Sequence, residues 1–149
     1  MIAVGRARGA LGEAAADYER RAARYWALRL VEVREESARS LPAEQVVARE
    51  GERLAERVPA GAALVACDER GDAWTSARFA AWLAEQRDAA RDVAFVIGGA
   101  HGLAPALRER AGVRLALAPW TLPHELARVV LAEQLYRAGT IARGEPYHK

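Results

Sequence analysis

Apolar positions in this chain fall into short unbroken runs, separated by longer stretches in which they recur at helical spacing. Ile2–Val4 is apolar and stops at Gly5, which predicts a first strand. From Leu11 to Trp26, Ala14, Ala15, Tyr18, Ala22 and Tyr25 recur near the spacing of one helix face. Leu28–Val33 alternates Leu28, Leu30 and either Val31 or Val33 with Arg29 and Glu32, and reads as a second strand. Residues 37–42 carry the caps and breakers of a loop. Pro42-Ala43-Glu44 then starts a helix to about Arg57, with Val46, Val47, Leu54 and Val58 on its buried side.

Pro59-Ala60-Gly61 closes that helix, and Ala62–Cys67 follows without a polar interruption. A continuous apolar run of this kind favours a central parallel strand over an amphipathic edge. Asp68–Asp72 has the composition of a turn, and Thr75-Ser76 can cap a helix carrying Phe79, Ala80, Trp82 and Leu83. Val93–Ile97 is the next buried strand and ends at Gly98-Gly99. Strands alternating with helices across short connections predict an α/β fold, a mainly parallel sheet flanked by helices. With no internal repeat, low-complexity tract or linker, residues 1–149 read as a single domain.

Composition changes this picture little. A chain of 149 residues, 52% of them hydrophobic, can build a real core. No apolar run approaches the ~20 residues needed to span a bilayer, and no signal peptide is expected at Met1-Ile2-Ala3-Val4. Cys67 is the single cysteine, so no internal disulfide can form, and a reducing, cytoplasmic setting is expected. One cysteine and three widely spaced histidines (His101, His124, His148) match no zinc pattern, and no metal is expected. Net charge is only +2, with arginine supplying every base but Lys149. A nucleic-acid surface is allowed by that balance without being required by it.

The candidate chemistry lies in the last third. Open parallel sheets bind ligands beyond the carboxyl ends of their strands. Two such ends are marked, Cys67-Asp68 and Gly98-Gly99, and glycine there lets a ligand approach the main chain. Gly98-Gly99-Ala100-His101-Gly102 lacks the GxGxxG spacing of a dinucleotide site, and a GG pair is as often a plain tight turn. Ala118-Pro119-Trp120-Thr121-Leu122-Pro123 has two prolines that force an irregular backbone with amides and carbonyls to offer. Thr121 is placed to cap the helix that follows, with Pro123 in its first turn. Leu126, Val129, Val130, Leu131, Leu135 and Tyr136 give that helix a wide apolar face, suited to burial or a subunit interface. The tail then brings Pro146, Tyr147 and His148, the last two able to donate, accept or stack.

The strand-GGxxGL segment, the TLPH helix start, EQLYRA (Glu133–Ala138) and the terminal RGEPYHK together resemble the ribosomal RNA large-subunit methyltransferase H family. That family belongs to the SPOUT class of S-adenosylmethionine enzymes. LVACDERG (Leu64–Gly71) and TSARFA (Thr75–Ala80) extend the resemblance in the same order along the chain. It implies a homodimer with a C-terminal trefoil knot, over about residues 95–149, which periodicity could not reveal and which general topology rules disfavour. It implies S-adenosylmethionine held by Cys67, Gly98, Gly99, Gly102 and the run Ala118, Pro119, Trp120, Thr121, Leu122 and Pro123. The implied reaction is methylation of N3 of pseudouridine 1915 in 23S ribosomal RNA, on assembled ribosomes. His148, Tyr147 and Arg137 match the positions linked to substrate recognition and catalysis. Either His148 or Tyr147 could serve as base or base-positioner, with His148 the favoured one. Three features depart from the family pattern: His101 in the glycine turn, Cys67 where an aliphatic residue is usual, and a short N-terminus from which a first strand clipped at its start is expected. Two other readings stay open, a SPOUT enzyme acting on another RNA such as tRNA, and a non-catalytic RNA- or ribosome-binding protein that keeps the fold.

Overall fold

The computed structural model describes residues 1–37 and 41–148. The loop expected at 37–42 therefore lies partly outside the described residues, as does the last tail residue, Lys149. Five strands and five helices alternate among the described residues. They are β1 (Ile2–Val4), α1 (Gly9–Ala22), β2 (Val31–Val33), α2 (Ala43–Arg57), β3 (Ala63–Ala73), α3 (Ser76–Asp88), β4 (Val93–Ile97), α4 (Pro105–Arg110), β5 (Val113–Ala116) and α5 (His124–Ala142).

All neighbouring strands pair in parallel, in the order β2-β1-β4-β3-β5. The apolar runs explain why β3 and β4 take inner places. On β4, Ala94 and Val96 enter one layer while Phe95 and Ile97 enter the other; on β3, Leu64 and Ala66 oppose Val65 and Cys67. Leu54 of α2, Leu103 from the segment before α4, and Leu107 of α4 cover the first face. Ala22 of α1, Phe79 and Leu83 of α3, and Leu131 and Leu135 of α5 cover the second. Burying one leucine such as Leu131 contributes about 2 kcal/mol. Helix α5 packs against both α1 and α3, which accounts for its wide apolar face.

One charged group is built into that layer. Arg128 of α5 is 7% exposed, and its guanidinium donates to Glu19 of α1 (Nε to Oε1, 2.7 Å) and to Glu32 of β2 (Nη1 to Oε1, 2.6 Å). It ties three elements together. Near the other end of α5, Trp26 Nε1 donates to the Leu135 carbonyl at 2.8 Å and the Tyr25 hydroxyl to Glu145 at 2.5 Å.

The structure departs from the sequence reading in four places. Helix α1 ends at Ala22, and the chain beyond turns so that Tyr25 and Trp26 pack on α5. The second strand is confined to Val31–Val33, while Leu28 and Leu30 pack against the core. The Asp68–Asp72 turn is a bulge inside β3: Cys67 and Asp72 both pair with Leu115, and the residues between them loop out of the ladder. Finally, α4 is one short helix between Gly102 and β5 that leaves too few residues for a periodic signal.

Candidate functional site

A groove of about 1510 Å³ opens beyond the carboxyl ends of β4 and β5 and beside the bulge of β3. Helix α2 walls one side through Val47, Gly51 and Ala55, and α4 another through Leu107 and Arg108. The floor and rim come from Cys67–Arg70, Ile97–Leu103 and the segment from Leu117 to His124. Of the residues expected at a cofactor site, Cys67, Gly98, Gly99, Gly102, Ala118, Trp120, Thr121, Leu122 and Pro123 all line this groove. Pro119 is exposed and is not among the lining residues.

The glycine turn owes its shape to the absence of side chains. A Cβ on Gly98 would stand 2.5 Å from the Gly102 carbonyl carbon, so Gly98 admits nothing larger. Gly102 has φ +79°, a conformation that L side chains rarely adopt, and its amide bonds the Gly99 carbonyl at 3.0 Å. The main chain of the turn is thereby presented bare to the groove.

The second lining segment is held from the β3 bulge. Thr121 Oγ1 donates to Glu69 Oε2 rather than capping a helix. Helix α5 begins at His124, with Pro123 at its N-cap and no side-chain cap bond. The expected Thr121 cap is thus replaced by a cross-link between two groove walls, because the bulge brings Glu69 within reach. Trp120 is 75% exposed on this rim. Asp68 anchors the bulge locally, accepting the Arg70 amide at 3.0 Å, with Arg108 at 3.8 Å. Burial pushes the Cys67 thiol up to about 12, so it packs as a neutral apolar group.

The expected catalytic residues lie elsewhere. Arg137 donates to Glu133 at 2.5 Å, and the Tyr147 hydroxyl donates to the same carboxylate oxygen at 3.0 Å. The Arg137 guanidinium also lies 4.8 Å from the centre of the Tyr147 ring, which packs 4.6 Å from Tyr136. Burial, followed by hydrogen bonds with Tyr18 and Glu133, raises the Tyr147 pKa, so the phenol stays protonated. His148 is exposed. None of Glu133, Arg137, Tyr147 and His148 lines the groove of the same chain. Along α5, His124 at the groove and Arg137 are separated by ~20 Å of helix.

Two acids escaped the sequence reading. Glu133 was legible, since it stands four residues before Arg137, the spacing of a helix ion pair. Glu50 was not, because it reads as one charge in the polar run Arg49-Glu50-Gly51-Glu52. It is in fact buried beside the glycine turn. Among the described residues, no cluster of histidine, cysteine or acidic side chains could hold a metal ion. No helix of those residues is long and apolar enough to cross a membrane.

Comparison with known proteins adds to this geometry. A family model described as "Predicted SPOUT methyltransferase" matches residues 1–148. The ribosomal RNA large subunit methyltransferase H of Gemmatimonas aurantiaca is 64% identical, over 100% of this chain and 97% of the relative. The protein of the same name from Syntrophotalea carbinolica is 43% identical, over 99% of this chain and 96% of its own. Among solved structures, the SpoU methyltransferase AviRb from Streptomyces viridochromogenes, in complex with AdoMet, matches with TM-score 0.45 and 18% identity. That match covers 97% of this chain and 58% of the other, and it is too distant to bear on the site. With a family match along almost its full length and relatives this similar, the chain belongs to the SPOUT methyltransferase family, alongside the ribosomal RNA large subunit methyltransferases H.

Proposed function

We propose that the protein transfers a methyl group from S-adenosylmethionine to N3 of a pseudouridine, position 1915, in 23S ribosomal RNA on assembled ribosomes. The observation that carries the reading is the groove: bare glycine backbone and a proline-bounded segment face each other across the carboxyl ends of the strands, in a SPOUT methyltransferase. The residues present suit such a ligand. Main-chain polar groups of the Gly98–Gly102 turn and of Trp120, Thr121 and Leu122 offer partners, and Leu117, Leu122 and Leu107 offer apolar wall. Cys67, neutral and packed, fills the floor.

When bound, the cofactor supplies a methyl group activated on a sulfonium, so the chain's task is alignment and handling of one proton. N3 of pseudouridine loses its proton as it gains the methyl group. His148, exposed at the end of the tail, is the group we assign to accept it. Tyr147 stays protonated and serves as a hydrogen-bond donor. Arg137, oriented by Glu133 and by the Tyr147 ring, steadies phosphate or developing charge.

Separation of these residues from the groove of their own chain supports a homodimer in which each tail serves its partner's groove. In this reading residues 1–149 form one domain, residues 95–149 are threaded as a trefoil knot, and the protein works in the cytoplasm. The test is methyl transfer from labelled S-adenosylmethionine to ribosomes lacking the modification. Wild type should label one pseudouridine, and His148→Ala should lower the rate about 100-fold or more while leaving cofactor affinity intact. Label that persists in His148→Ala would end the assignment of the base, and label on tRNA alone would end the assignment of the substrate.

A further inference from the structure

Glu50 of α2 lies against the inner side of the glycine turn. It is 2% exposed; its Oε1 accepts the Glu36 amide at 2.9 Å, and its Oε2 is buried with no hydrogen-bond partner. A Cβ on Gly99 would stand 2.5 Å from that Oε2 and 3.1 Å from Val4 Cγ1. The carboxyl is therefore already packed against the Gly99 backbone. Gly99 lines the groove and Glu50 does not, so whatever Glu50 does to a ligand it does through the turn.

We propose that Glu50 is a positioning residue of the groove: its buried carboxyl is the floor on which Gly99 rests, and it sets how far the Gly98–Gly102 turn stands out toward the cofactor. The proposal rests on the reading of the groove as the S-adenosylmethionine site.

The surroundings favour the neutral form. The charged groups around this carboxyl are Glu35 and Glu36 from the segment after β2, Arg53 one turn further along α2, and His101 from the turn itself. Burial raises the Glu50 pKa and the Glu35 carboxylate adds to it, while the Glu36 amide, His101 and Arg53 act in opposition. Arg53 is engaged elsewhere, bonding the Glu36 carboxylate and donating to the Arg34 carbonyl at 2.8 Å. Among the described residues, no side chain bonds Oε2. Ionising it would leave a buried, unpaired charge beneath the turn, and the turn would have to move or admit water.

The sign follows from the raised pKa. The folded protein holds this proton more tightly than the unfolded chain, so the stabilisation is fully present below the ordinary glutamate range. It is lost as pH rises through the folded pKa.

The experiment measures binding of S-adenosylhomocysteine by calorimetry to the full-length wild type, Glu50→Gln and Glu50→Ala across about pH 5 to 9, with urea unfolding of each. His101, Glu35 and Arg53 are present in all three proteins, which differ only at position 50. Wild type should bind more weakly as pH rises, Glu50→Gln should keep the low-pH affinity throughout, and Glu50→Ala should bind about tenfold more weakly at every pH. Unfolding should show the same loss with pH in wild type and not in Glu50→Gln. Identical pH profiles for wild type and Glu50→Gln would overturn the proposal, as would Glu50→Gln binding as weakly as Glu50→Ala. A wild type that is folded by urea titration yet binds no S-adenosylhomocysteine would instead remove the cofactor reading, and this one with it.

Discussion

At Gly98 a single added methyl group would meet the Gly102 carbonyl carbon and oxygen at 2.5 and 2.6 Å, and neither can swing away as a side-chain tip could. Gly98→Ala is therefore expected to cost about 2 kcal/mol of stability and to weaken S-adenosylhomocysteine binding, read by urea unfolding and calorimetry. Wild-type values in both would show that the turn yields cheaply. Cys67 gives a prediction of the opposite kind. With its thiol pushed up to about 12 by burial, almost no thiolate exists at neutral pH. Iodoacetamide should leave Cys67 unmodified in the native protein and alkylate it once urea unfolds the chain, as mass spectrometry would report. The sequence marked both residues by their place at strand ends. It could not mark Glu50, whose burial arises when α2 and the glycine turn, nearly fifty positions apart, are brought into contact by the sheet.

Elements were legible in proportion to their length and to the purity of their pattern. Strands β3 and β4 announce themselves by apolar runs, and α5 by a face too wide for a surface helix, which its place between α1 and α3 explains. The bulge in β3 was hidden because Asp68-Glu69-Arg70-Gly71-Asp72 has turn chemistry, and only pairing of Asp72 and Ala73 with β5 carries the strand onward. The Arg128 tie among α5, α1 and β2 was equally hidden, since an arginine within a helix reads as a surface charge. Removing it leaves Glu19 and Glu32 without their shared partner in a half-buried setting. Arg128→Ala is expected to destabilise the fold by about 3 kcal/mol in urea unfolding, and Arg128→Ala combined with Glu19→Gln by less than the sum of the two changes. Strict additivity would mean the pair does not couple α5 to α1.

For the whole molecule, the separation of groove and tail has a consequence for mixed assemblies. In the proposed dimer each reaction centre takes its groove from one subunit and its His148 from the other. Coexpressing Gly98→Val with His148→Ala should then restore roughly a quarter of wild-type methyl transfer, because about half of random dimers are mixed and each mixed dimer keeps one intact pair. No recovery, with mixed dimers present by mass spectrometry, would place both halves in one chain. The modest net charge of +2 gives a second expectation at this scale. Weak electrostatic attraction to bare RNA is expected from that balance, so ribosomes should be methylated far faster than naked 23S RNA. Equal rates would shift the source of specificity from ribosome shape to RNA sequence.

Trp120, three-quarters exposed on the groove rim, also makes the protein its own optical probe. The remaining indoles, Trp26, Trp74 and Trp82, are partly buried against the hydrophobic layer, and their emission should respond little to events at the rim. An indole in open water emits at long wavelength and is readily quenched by dissolved iodide. Anything that settles over the rim, whether small molecule, nucleotide or second subunit, should shift that emission to the blue and shield it from iodide. Occupancy could thus be followed in real time on unlabelled protein, with Trp120→Phe as the blank.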